Sequence, residues 1–85
     1  MHVERILKAL ANRRRLAILA YLDKHREATV TDLGAYVKLS IKATSKHLNL
    51  LYHAELLDRR QIGLSVYYSL AKPLHPLARV SLNHL

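Results

Sequence analysis

The spacing of apolar positions changes several times along the chain, and each change marks an element. Val3, Ile6, Leu7 and Leu10 recur at i, i+3, i+4 and i+7, which predicts an amphipathic helix over about residues 2–11. Asn12 is placed to cap a second helix, from about Arg13 to His25, because its short side chain can accept from the first-turn amides. Leu16, Ala17, Ile18, Leu19, Ala20 and Leu22 make that helix apolar around most of its circumference, which predicts a central position. The β-branched run in "EATVT" predicts one short strand near residues 29–31. Thr31 is then expected to cap a third helix over about 32–38, with Leu33, Tyr36 and Val37 inward and Asp32 favourably placed in its first turn. Ser40 caps the fourth, over about 41–54. Beyond it the period drops to two. Leu64, Val66, Tyr68 and Leu70 alternate with less apolar residues, and Gly63 supplies a turn, so residues 56–62 and 64–70 read as a β-hairpin. Pro73 and Pro76 introduce a last helix over about 75–84. At about ten residues it is too short to stand alone. Leu74, Leu77, Ala78, Val80 and Leu82 have to dock on the first helix and on a partner chain.

The reading is one domain over residues 1–85, mainly α with a small β-wing, in the order α-α-β-α-α-β-β-α. Charge sharpens it. Fourteen Lys and Arg face six Asp and Glu, giving a formal net charge of +8. Such a field favours polyanions. The absence of cysteine removes disulfides, thiolate metal sites and cysteine nucleophiles. No apolar run reaches the roughly 20 residues of a membrane span. Glu4, Arg5 and Lys8 do not suit a signal peptide, so a cytoplasmic protein with no membrane partner is expected. The few, scattered acids and the lack of a phosphate-cradling glycine loop point away from an enzyme.

Helix 41–54 carries the functional argument. At about 100° per residue, Lys42, Ser45, Lys46, Asn49 and His53 share one arc roughly 100° wide. Thr44, His47, Leu48, Leu51 and Ala54 fall opposite, and Ile41 and Tyr52 flank one edge. A solvated helix face normally mixes Glu with Lys, and this arc holds no acid. Lys can read guanine edges, Asn adenine, and Ser a base edge or phosphate, so the arc suits a DNA major groove. Five residues free of acids by chance are the competing explanation. The context, "TDLGAYVKLSIKATSKHLNLL", has the layout of a helix-turn-helix, whose second helix enters the groove. Ser40 and Ile41 begin that helix, and Arg59 and Arg60 on the following arm are placed for phosphate or minor groove.

Four blocks now resemble the ArsR-type winged-helix transcriptional regulators: "LKALANRRRLAILAYL", "TVTDLGAYVKLS", "SKHLNLLYHAELL" and "GLSVYYSL". The resemblance covers about residues 5–70. It implies a homodimer built from the first and last helices, here Val3, Ile6, Leu7, Leu77 and Val80. It also implies double-stranded DNA with a pseudo-palindromic operator as the ligand, and usually repression. By position, Lys42, Ser45 and Lys46 match the family's groove-facing residues, Arg59 and Arg60 its basic wing, and His47 a histidine that packs at the base of the helix. Ile41 stands where the family often has a polar reader. Glu55 stands where the family usually has the glycine that ends this helix. The wing tip is apolar, Ile62 and Leu64 about Gly63, where the family's is usually charged, and packing under the hairpin is the expected role of these two.

No cofactor or metal site is expected. His2, His25, His47, His53, His75 and His84 include no pair at i,i+3 or i,i+4. A site shared between chains, His2 with His75 or His84 of a second copy, stays open, as does the alternative of a winged-helix protein-interaction module without specific DNA binding. The effector, metal or small molecule, is not written in the chain.

Overall fold

The computed structural model describes residues 2–85. Eight elements follow in order: α1 His2–Leu10, α2 Arg13–His25, β1 Glu27–Thr29, α3 Val30–Val37, α4 Ile41–His53, β2 Leu57–Ile62, β3 Ser65–Leu70 and α5 Pro76–Asn83. The sheet is antiparallel with β3 central, in the order β1-β3-β2. Tyr67 pairs with both Thr29 of β1 and Arg60 of β2. This is the expected winged helix-turn-helix.

The core lies where α2 meets everything else. Ile6, Ile18, Leu19, Leu22, Leu33, Leu48, Leu51 and Leu56 lose essentially all contact with solvent. α2 bears out its central position, burying Ile18, Leu19 and Leu22. Asn12 caps it as expected, its Oδ1 accepting from Arg15 N at 3.0 Å.

The third helix begins earlier than expected. Thr29, not Thr31, is its N-cap. The Thr29 hydroxyl accepts from Asp32 N at 3.2 Å, and the Asp32 carboxylate accepts from Thr29 N at 3.3 Å. This reciprocal capping satisfies two otherwise orphaned amides and outweighs the strand propensity of Val30 and Thr31. The strand is displaced to Glu27–Thr29. Tyr36, expected inward, is 53% exposed; its ring lies 4.8 Å from Tyr21 on the surface of α2.

The turn between α3 and α4 is three residues long. Lys38 takes φ 60°, and Leu39 N closes on Gly34 O at 3.0 Å. Gly34 is what lets α4 approach: a Cβ there would stand 3.1 Å from Thr44 Oγ1 and 3.2 Å from Leu39 O. Thr44 is itself fully buried, its hydroxyl donating to Ser40 O at 2.8 Å.

Candidate nucleic-acid interface

Ser40 caps α4 by accepting from Ala43 N at 3.1 Å. The helix then divides as its sequence pattern requires. Thr44, Leu48 and Leu51 are buried against the core and His47 is half-buried. Lys42, Lys46, Asn49 and His53 are exposed, and Ser45 is half-exposed beside them. No acid lies on this face. Ile41 opens the helix with half its surface in solvent.

The wing stands beside α4. Arg59 lays its guanidinium over the Tyr52 ring at 3.8 Å from the centroid, so a cation of the wing is held on the flank of the helix. Arg60 is committed differently. Its Nη2 donates to both oxygens of Glu27 at 2.9 Å, and Nε adds a third bond at 3.2 Å. The pair ties β2 to β1 across β3, which leaves Arg59 as the freer cation of the two. At the tip, Gly63 takes φ 60° in a two-residue loop, and Gln61 Nε2 donates to Gly63 O at 3.2 Å. Leu64 is fully solvent-exposed and Ile62 half-exposed. The expectation that they pack under the hairpin is overturned: the two-residue loop projects Leu64 beyond the sheet.

One contact of α4 is not visible in the sequence. Arg15 of α2 donates from Nε to Ala9 O at 2.7 Å and from Nη2 to Lys8 O at 2.9 Å, closing the C-terminal end of α1. Its Nη1 meets His47 Nδ1 at 3.3 Å. A guanidinium has no acceptor, so Nδ1 accepts and the neutral ring carries its proton on Nε2. Burial, then Arg15, then Arg14 hold the His47 imidazole below the ordinary value of 6.5, which favours that neutral form. Only the triple arginine Arg13–Arg14–Arg15 at the start of an otherwise apolar helix hinted at this. Three cations at a helix N-terminus oppose its dipole and need another reason to be there.

At the other face, Val3, Leu7 and Val80 are about half-exposed on α1 and α5, and Leu77 is half-buried against the chain's own core. Ile6, expected on the dimer face, lies elsewhere. It is 1% exposed and belongs to the interior of its own chain, because it turns into the core while Val3 and Leu7 turn outward.

The described residues hold no group of three or more side chains suited to a metal. His2 lies 3.6 Å from Glu55 and its ring 6.3 Å from that of His75, but His75 Nδ1 is spent accepting from Leu77 N as the cap of α5. No helix among the described residues is long and apolar enough to cross a membrane.

The profile of the bacterial regulatory protein, arsR family, matches residues 12–59, from the cap of α2 to the first arm of the wing. The chain belongs to the ArsR family. It is 35% identical over 68 residues to the transcriptional repressor PagR of Bacillus anthracis, covering 80% of this chain and 68% of that protein. It is 41% identical over 63 residues to a transcriptional repressor SmtB homolog of Synechocystis, covering 74% of this chain but only 47% of that protein. The chain thus spans about half the length of that relative. Its fold matches the homodimeric winged helix-turn-helix DNA-binding domain of a possible ArsR-family regulator from Mycobacterium bovis, with a TM-score of 0.84 at 31% identity over 98% of this chain and 74% of the other.

Proposed function

We propose that this protein is a dimeric, sequence-specific DNA-binding regulator that represses transcription by occupying a pseudo-palindromic operator in the cytoplasm. The observation that carries the reading is the acid-free exposed face of α4, Lys42, Lys46 and Asn49 with Ser45, on a winged helix-turn-helix whose second helix is free to enter a major groove. Ser40 holds the start of that helix and Ile41 lies at its leading edge. Arg59 reaches the flanking phosphates, with Arg60 supporting the wing through Glu27. The Mycobacterium bovis neighbour is described as homodimeric, and the two relatives named above are named repressors. Val3, Leu7, Leu77 and Val80 supply the corresponding dimer face.

Selection of bound sequences from a random DNA pool tests this directly. Two inverted half-sites about one helical turn apart are expected. Affinity for them falls with salt with a log–log slope near −0.9 per neutralised phosphate. Lys42→Ala combined with Lys46→Ala lowers affinity and relaxes base preference. Binding without sequence preference, or unchanged by that pair of substitutions, rejects α4 as the reader. The exposed apolar wing tip would then favour the second reading, a protein-docking module, which predicts a protein partner lost on Leu64→Ser.

A further inference from the structure

The reading helix is tied to α1 at two points, once directly and once through an arginine of α2. Arg5 of α1 donates from Nη1 to His53 O at 3.4 Å, at the C-terminal end of α4 where a cation is favourable. The second grip is the Arg15 fork, which holds Lys8 O and Ala9 O with one edge and His47 Nδ1 with the other. α1 is also the helix that turns Val3 and Leu7 outward. One helix therefore faces a second copy on one side and orients the DNA-reading helix on the other.

We propose that Arg15 is a positioning residue that fixes the angle of α4 relative to α1, and thereby the spacing of the two reading helices in a dimer, through its bond to a neutral His47. The inference rests on α4 being the DNA reader. The fork suits the task because its planar donors are fixed relative to one another, so the two carbonyls of α1 set the direction of the third donor. Ammonium donors on a flexible stem cannot reproduce that. The bond also makes the orientation conditional. Protonation of His47 places an N–H against an N–H of a cation and removes the only acceptor that Arg15 has on α4. The charges that act on the ring are Arg15 and Arg14, both from α2; α1 is linked to it through Arg15, which also holds the carbonyls of Lys8 and Ala9. The sign follows. With the folded value below 6.5, the neutral contact is complete above 6.5, and it is lost as pH falls through that lowered value.

The test compares the full chain with Arg15→Lys, His47→Leu and His47→Asn. An Asn side chain can offer its amide oxygen near where Nδ1 stands, yet it does not titrate. Dimer dissociation, thermal midpoint and affinity for the selected operator are measured at pH 8 and at a pH below the His47 midpoint, which NMR of the ring locates. Arg15→Lys and His47→Leu are expected to lose about tenfold or more in operator affinity, the scale of one hydrogen bond to a charged group, at an unchanged dimer constant. His47→Asn is expected to bind within about twofold of the parent at pH 8 and to lose less affinity than the parent once pH falls below the His47 midpoint. Folded dimers of Arg15→Lys that bind as the parent does, or a His47→Asn profile that tracks the parent's, overturn the inference. A second measurement needs no DNA: nitrogen-15 NMR of the free protein at pH 8 is expected to show His47 as the Nε2–H tautomer. An Nδ1–H ring overturns the inference even if no operator is found. A parent that binds no sequence selectively, with the expected tautomer, counts against the proposed function instead.

Discussion

Glu55 ends α4 with φ 63°, and Glu55 N and Leu56 N close back on Tyr52 O and Leu51 O at 3.0 Å. A left-handed residue is what this closure demands, and glycine meets it without crowding a Cβ. The helix thus ends in the geometry for which a glycine is the usual choice, with a glutamate enduring it. Glu55→Gly is expected to stabilise the protein by about 1 kcal/mol, since the exposed contact to His2 contributes little. Denaturant unfolding checks this, and a lowered midpoint contradicts it. Ile41 is a second residue whose surroundings define its role. It is half-exposed at the N-terminus of the proposed reader, and the only apolar group that a major groove presents is the thymine 5-methyl. Replacing thymine by deoxyuracil in each half-site should cost the parent about 1 kcal/mol at one position, on the scale of a buried methylene. The same replacement should cost Ile41→Ala almost nothing. Equal losses in the two proteins would show that Ile41 touches no thymine.

At the scale of elements, the chain's own pattern located α1, α2, α4 and the hairpin, because each is decided locally: by an apolar period, by Asn12 or Ser40 as cap, by Gly63 in a tight turn. It misplaced the start of α3 because Val30 and Thr31 have strand propensity, and only the reciprocal bonds of Thr29 and Asp32 decide between the two. The polar face of α4 was legible in the same way, as an arc on a wheel. The Arg15–His47 contact and the Arg60–Glu27 pair were not, since each joins residues more than thirty positions apart and depends on how the elements dock. The close approach of α3 and α4 is likewise tertiary. Gly34→Ala gains helix propensity of up to about 1 kcal/mol, but its Cβ meets a buried hydroxyl already bonded to Ser40 O and a backbone carbonyl. Overpacking of that kind costs about 1–3 kcal/mol, so a net loss of roughly 1 kcal/mol is expected in equilibrium unfolding. A stabilised variant would mean that α4 can move outward freely, which would also weaken the case for a fixed reading angle.

For the whole molecule, two opposed forces govern assembly. In the proposed dimer a second copy covers the outward faces of α1 and α5, where Val3, Leu7 and Val80 stand half in solvent. Against that, each copy brings a formal charge of +8, and the repulsion between them weakens as salt screens it. Dimerisation is therefore expected to tighten as salt rises, while operator binding, which gains from counterion release, weakens over the same range. Sedimentation and fluorescence anisotropy across one salt series separate the two slopes, and parallel slopes would refute the picture. Leu7→Lys makes the same point by substitution. Leu7 is outside the core, so the lone fold keeps its thermal midpoint to within a few degrees, a change of about 0.5 kcal/mol or less. The added charge on the apolar face yields monomers at concentrations where the parent is paired. Each monomer then reads one half-site without the other held nearby, and a full operator is bound about 10² to 10⁴-fold more weakly. Undiminished affinity in the monomeric variant would mean that one copy of α4 with its wing suffices, and that the outward face of α1 serves some partner other than a second copy of this chain.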